Sequence, residues 1–231
     1  MQRDTLPFSD FGLPLHALAA CHLARVTDVN DPQNLARVKV ELYSLDSDND
    51  ASFWARVASP FAGNARGGFF IPQPDDEVLV MFVQGDTRAP VVIGGLWNGA
   101  ATPPETISGG KVDRWSITGK AGTRIAIVEE SDATASIVCS TPGGVKLTMT
   151  DESGGKVKIE CAGNTVTIDT QGVSIQAAAK VSVQAASVDV SAGMVKVDAA
   201  MSKFSGVIKC DTLITNAVVS SSYTPGAGNI W

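Results

Sequence analysis

Two rhythms of apolar residues divide this chain of 231 residues. The first runs over residues 21–97. There Val38, Val40 and Leu42 alternate with Arg37, Lys39 and Glu41, the period of two expected of a strand with one buried face. Similar apolar stretches, bounded by turn residues, predict strands over 22–29, 36–45, 53–58, 77–83 and 91–97. Asn30-Asp31-Pro32 supplies turn chemistry, 46–50 reads as a polar loop, and Gly63, Gly67 and Gly68 mark an irregular one. Five short strands in so small a stretch suit a closed barrel.

The second rhythm starts near residue 115. Aliphatic residues two apart recur as Ile125/Ile127, Val145/Leu147, Val157/Ile159, Val166/Ile168, Val173/Ile175, Val181/Val183, Val188/Val190 and Val195/Val197. The last five pairs follow one another at steps of seven or eight. A heptad coiled coil needs apolar residues three and four apart, and Val and Ser stand here where Leu, Glu and Lys would be expected. The repeat is therefore a strand plus a turn. Each unit buries about two apolar side chains, too little to offset an ordering cost of roughly 1–2 kcal/mol per residue. Repeats that enclose a core within one chain usually run to about 20 residues or more. Shorter units predict one face per chain, with other copies supplying the rest. An interleaved threefold prism also removes the exposed strand edges.

The expected organisation is an arm over 1–20, a barrel over 21–97, a Gly/Pro-rich linker over 98–114, a shaft over 115–222 and a tail over 223–231 that breaks period. The predicted trimer core is Val145, Leu147, Val157, Ile159, Val166, Ile168, Val173, Ile175, Val181, Val183, Val188, Val190, Val195 and Val197. Cys139, Cys161, Met194, Met201 and Phe204 are expected to fill axial gaps, and Gly143-Gly144 and Gly154-Gly155 to mark turns. Tyr223, Pro225 and Trp231 restore bulk at the end and are the expected tip-docking residues.

Composition sharpens this picture. Only 6% of residues are aromatic, and none falls between Ser116 and Phe204. A globular core normally uses such bulk, so the shaft interior is thin. A net charge of −6 argues against a broad cationic surface for nucleic acid, and the barrel strands lack interleaved basic and aromatic residues. Cys21, Cys139, Cys161 and Cys210 have no ligand spacing and read as reduced, mostly buried thiols. Leu18-Ala19-Ala20-Cys21 imitates a lipoprotein cleavage box, but no continuous apolar stretch precedes it. No stretch approaches the roughly 18 apolar residues of a membrane helix.

Candidate catalytic groups dissolve on inspection. Asp75-Asp76-Glu77 and Glu129-Glu130 are adjacent acids, which on a strand point to opposite faces and make no acid/base pair. Neither His16 nor His22 accompanies a nucleophile elbow. Gly94-Gly95 precedes no helix that could receive a phosphate. The expected protein is not an enzyme and needs no cofactor or metal.

The barrel region resembles the oligonucleotide/oligosaccharide-binding (OB) fold domain of the phage baseplate assembly protein V family, which is related to VgrG spikes. The resemblance rests on Ala24-Arg25-Val26, Asp31-Pro32, Ala36-Arg37-Val38-Lys39-Val40, Trp54-Ala55-Arg56-Val57, Gly67-Gly68-x-Phe70-x-Pro72, Asp76-Glu77-Val78, Gly85-Asp86 and Pro90-Val91-Val92-x-Gly94-x-Leu96. It covers about a third of the chain, and the repetitive region in the same order extends it over nearly all. It implies an all-β protein: an N-terminal OB-fold barrel followed by an intertwined trimeric β-helix, or β-prism. It further implies a homotrimeric, non-enzymatic spike of a contractile tail or injection-system baseplate. Such a spike assembles in the bacterial cytoplasm, joins a phage tail or injection particle, and touches the target membrane transiently. The expected partners are a separate hub protein at the barrel end and a PAAR-type tip protein at the C-terminal end, with no nucleic acid. Three departures from relatives stand out: no room at 98–114 for a cell-wall lysozyme domain, no fused hub, and no His-x-His iron-binding apex. The alternative is a β-helical tail fibre that binds or degrades surface glycans.

Overall fold

The computed structural model describes residues 20–44, 52–131 and 134–222. The expected arm over 1–20, save its last residue, the loop at 46–50 and the docking residues Tyr223, Pro225 and Trp231 lie outside the described residues. The chain forms two units, Met1–Lys180 and Val181–Trp231.

The first unit begins with a closed barrel. Its strands are β1 (Cys21–Asp28), β2 (Val38–Leu42), β3 (Ser52–Val57), β6 (Glu77–Phe82) and β7 (Pro90–Leu96). A small ribbon, β4 (Ala62–Gly63) paired with β5 (Arg66–Gly67), interrupts the loop between β3 and β6. The barrel closes in the order β1-β2-β3-β7-β6. All pairings are antiparallel except β3 with β7. Each predicted strand falls within a few residues of an observed one. Two register shifts, between Val26 and Asp28 and between Leu79 and Val80, add the local twist that closing so small a sheet needs. Inward positions fill the interior: Ala24, Val26, Val38, Val40, Leu42, Ala55, Val78, Val80, Phe82 and Val92 are buried.

The Asp31–Arg37 pair explains part of the barrel's sequence signature. The Asp31 carboxylate accepts hydrogen bonds from the backbone N–H groups of Gln33, Leu35 and Arg37 and from the Arg37 guanidinium, with Arg37 Nη2 at 2.6 Å. This clamp holds a loop whose Asn34 and Ala36 both have positive φ. Arg37 also lies over the Trp54 ring, 5.7 Å from its centroid. The Arg37 guanidinium keeps the Asp31 carboxyl far below the usual carboxylate range.

The second part of this unit is a meander of β8 (Arg114–Thr118), β9 (Arg124–Val128), β10 (Ser136–Ser140), β11 (Lys146–Thr150), β12 (Lys156–Cys161), β13 (Asn164–Asp169) and β14 (Gly172–Gln176). Each strand pairs antiparallel with the next, in sequence order. Gly144, Gly154 and Gly155 sit at the turns with positive φ, as the sequence predicts. Up to Gln176, the strands are therefore paired within their own chain. The repeat read from the sequence as one interleaved shaft consists first of local hairpins, because turns of a few residues let neighbours pair at little loop cost.

The second unit is different. Residues 181–222 contain no strand, and among the described residues none of them joins a backbone–backbone hydrogen bond. Single bends at Ala186, Gly193, Ala200, Gly206, Asp211, Asn216 and Ser221 separate short exposed stretches. The step is seven residues as far as Ala200, then six, then five. The step of seven or eight noted in the sequence thus contracts toward the C-terminal end.

Candidate assembly interface

The seven-stranded sheet has two unlike faces, set by the period of two in every strand. One face is mostly polar and carries Arg114, Ser116, Arg124, Ser136, Lys146, Thr148, Lys158, Glu160, Thr165 and Thr167 beside Ala126, Val128 and Val138. The other carries two unbroken apolar ladders in register across all seven strands. The first is Ile117, Ile125, Cys139, Leu147, Ile159, Val166 and Ile175. The second is Trp115, Ile127, Ile137, Met149, Val157, Ile168 and Val173. Cross-strand neighbours of this kind are the units of sheet stabilisation. Along the second ladder runs an open groove of about 750 Å³, lined by Ile127, Ile137, Met149, Val157 and Ile168.

Among the described residues of the first unit, none covers that face. In this part of the chain only Ala126 is buried, and it points the other way. Ile117, Ile125, Ile159 and Ile168 are all exposed. A contiguous apolar surface of this size is of the kind that protein interfaces use. Completing the burial of fourteen half-covered side chains, at about 1 kcal/mol each, is worth on the order of 10 kcal/mol per chain.

The opposite face is held by charge. Glu105 accepts from Arg124 at 2.7 Å and also pairs with Arg114, tying residues 98–114 to β8 and β9. Hydrogen bonds from Arg124 and Ser116 hold the Glu105 carboxyl below its usual range. Arg114 also binds Asp113 and Glu130, each at 2.7 Å. The linker read from composition as a plain spacer is thus anchored, because Arg114 and Arg124 face it across the hairpin.

Of the predicted core residues, Leu147, Val157, Ile159, Val166, Ile168, Val173 and Ile175 stand in the ladders. Val145 immediately precedes β11, on the same face. Val181, Val183, Val188, Val190, Val195 and Val197 fall in the second unit, exposed, with a bend between pairs from Ala186 onward. The predicted list left out Trp115, Ile117, Ile125, Ile127, Ile137 and Met149, although each alternates in the same period and Ile125/Ile127 is one of the aliphatic pairs read from the sequence. Cys139 takes a ladder position, and Cys161 lies at the end of β12 on the apolar face. The expectation of mostly buried thiols is corrected: Cys21, Cys161 and Cys210 are exposed and Cys139 is half-buried. Cys139 and Cys161 stand on the open apolar face, Cys21 at the outer start of β1, and Cys210 in the exposed second unit. Among the described residues no group of His, Cys, Asp and Glu could hold a metal, and no helix is long and apolar enough to cross a membrane.

A closed OB-type barrel followed by a sheet with one unpartnered apolar face defines an oligomeric β-assembly protein. Comparison with known proteins gives it a family. Residues 22–97 match the type VI secretion system/phage-baseplate injector OB domain, and residues 136–201 match the phage baseplate V C-terminal trimerisation domain. The type VI secretion system spike protein VgrG4b of Pseudomonas aeruginosa is 41% identical over 71 residues, 29% of this chain and 9% of that protein. Spike protein VgrG3 of Vibrio cholerae is 37% identical over 75 residues, 31% of this chain and 7% of that protein. The actin cross-linking toxin VgrG1 of Vibrio cholerae is 35% identical over 75 residues, 31% of this chain and 7% of that protein. The matched stretches amount to roughly a tenth or less of these relatives' length. The chain belongs to the phage baseplate V/VgrG-like spike family, and its C-terminal half carries that family's trimerisation domain.

Proposed function

We propose that this chain is the central spike of a contractile injection machine, working as a homotrimer and by mechanics rather than catalysis. The observation that carries this is the pair of uncovered apolar ladders within a matched trimerisation domain. Three such faces, turned inward, make a closed prism with no solvent-exposed apolar side. In residues 181–222 the requirement is stronger, because the described backbone there makes no backbone–backbone hydrogen bond. Backbone groups left unpaired out of water are costly, so other copies supply the ladder there. The contribution to function is stiffness: cross-strand hydrogen bonds and packed Val and Ile resist buckling under load.

On this reading residues 115–222 are the shaft and residues 98–114 its attachment to the barrel. Val145, Leu147, Val157, Ile159, Val166, Ile168, Val173 and Ile175, then Val181 to Val197 in pairs, line the axis. A hub protein binds at the barrel end, and a PAAR-type tip protein sits at the C-terminal end near Tyr223, Pro225 and Trp231. The trimer assembles in the cytoplasm, joins a tail or injection particle, and touches the target membrane only in passing. The names of the relatives support the spike reading over the glycan-degrading fibre. Light scattering on the purified chain tests it: a particle of three times the 24.0 kDa chain mass, stable in SDS, is expected. A folded 24.0 kDa monomer refutes the proposal.

A further inference from the structure

The outer wall of the barrel is divided along its length. On β1, β2, β6 and β7 outward positions alternate with buried ones. Near the linker the outward positions are charged. Arg25 pairs with Glu41 at 3.1 Å and stands opposite Glu77, which accepts from Asn98 at 2.8 Å. Toward the other end they turn apolar. Leu23 lies opposite Leu79, Tyr43 donates its backbone N–H to Leu23, and Met81 lies opposite Val91. Ile93 joins them as the extra residue at the register shift of β7. Leu23, Tyr43, Met81 and Ile93 are exposed. The chain enters this patch directly: Cys21, the first residue of β1, stands opposite Met81, so residues 1–19 are tethered at its rim. In their sequence Phe11, Leu13 and Leu15 alternate with Gly12 and Pro14, which gives an extended stretch one apolar side. Pro14 disfavours helix at the residue before it. Five extended residues span about 16 Å, and the three strand spacings of this wall about 14 Å. The connection from Leu15 to Cys21 reaches about 20 Å when extended, enough to turn back over the wall.

We infer that residues 11–15 cover the apolar half of this wall, with Phe11, Leu13 and Leu15 set against Leu23, Leu79 and Met81. The tether decides the occupant. A connection this short holds the segment at an effective concentration on the order of millimolar, so a modest apolar contact forms without a second molecule. The charged half of the wall, with Arg25, Glu41 and Glu77, sets the limit of the covered area. The cover does not depend on the trimer proposed above, since segment and wall belong to one chain.

The test uses the full chain and the thiol of Cys21, which faces outward beside Met81. Its alkylation by N-ethylmaleimide is followed peptide by peptide in samples that keep the barrel's near-ultraviolet signature. The rate is expected to be several-fold slower in the unaltered chain than in the triple variant Phe11→Ser, Leu13→Ser, Leu15→Ser. Leu23→Ser, which weakens the wall and leaves the segment intact, is expected to speed Cys21 as well. The rate at Cys210 should be the same in all three proteins. Equal rates at Cys21 in the unaltered chain and the triple variant overturn the inference: fast ones leave the wall open, and slow ones assign its cover to another copy or another part of the chain. A rate that rises in the triple variant but not with Leu23→Ser moves the segment off this wall and overturns it too. None of these results bears on the trimer mass, so the spike reading stands or falls separately.

Discussion

The barrel and the sheet are made from the same material and end differently. Both are built of short strands alternating Val or Ile with polar residues. In the barrel, β1 finds β6 as well as β2, the sheet closes, and ten side chains are buried by the chain's own folding. In the sheet, β8 and β14 have one neighbour each, and among the described residues of this unit nothing lies over the ladders and no ladder residue is buried. Closure removes both edges and one face from water at once. A flat meander removes neither, so it is stable only if something else supplies the second layer. The lesson is that period-two patterning specifies a buried face without specifying who buries it. Residues 181–222 form no strand pairing of their own among the described residues.

The contrast can be broken most severely on the apolar ladders. Val157→Asp places a carboxylate in the proposed axis, where burial of an uncompensated charge is prohibitive. Sedimentation is expected to show loss of the trimer, while the near-ultraviolet signature of the barrel persists. Retention of a stable trimer would count against the ladders as the interface.

The converse substitution acts on the barrel alone. Val40→Ala removes two methyl groups from a fully buried site and is expected to cost about 2 kcal/mol of barrel stability. Chemical denaturation should show this as a lowered barrel midpoint with the trimer mass unchanged. A coupled loss of both would mean that the two regions fold as one.

Acid sharpens the comparison differently, since both regions carry carboxylates held by arginine. Asp31 clamps a barrel loop, Glu105 and Asp113 clamp the start of the sheet, and all three have depressed pKa values. A group whose pKa is lower when folded stabilises the fold above its unfolded pKa, about 4, and loses that contribution as pH falls further. Melting curves at pH 7 and pH 3 should show a lower transition at pH 3. Asp31→Asn should flatten the barrel's dependence and Glu105→Gln that of the sheet's first hairpin.

The smallest effect is expected one residue from the largest. Lys158 neighbours Val157 but lies on the polar face, where it pairs with Glu160 at 2.7 Å on partly exposed side chains. Lys158→Ala should leave trimer mass and melting temperature unchanged, because such pairs contribute little. A large destabilisation would place that face, too, against a partner.

Much of this was legible in the residues. The barrel strands announced themselves because Val38, Val40 and Leu42 alternate with charged residues and because apolar stretches such as 77–83 are bounded by turn signals. The aliphatic pairs from Val145 to Val197 were visible from their spacing of two. Trp115, Ile117, Ile137 and Met149 escaped the predicted core because none forms an aliphatic pair of its own: Trp115 pairs with Ile117, Ile137 with Cys139, and Met149 follows the complete pair Val145/Leu147. Their place shows only once Ile137 stands opposite both Ile127 and Met149. The role of Glu105 was hidden in a Gly/Pro-rich stretch, since its partner Arg124 is distant in sequence and nothing local marks the pair.

By itself the sequence determined the strands, their buried faces and the need for further copies, because side-chain period and composition are local properties. Tertiary structure decided which strands close on themselves, where local pairing stops after Gln176, and that the linker clamps to the polar face. Those outcomes depend on register and on contacts between residues far apart in the chain, which no local pattern encodes.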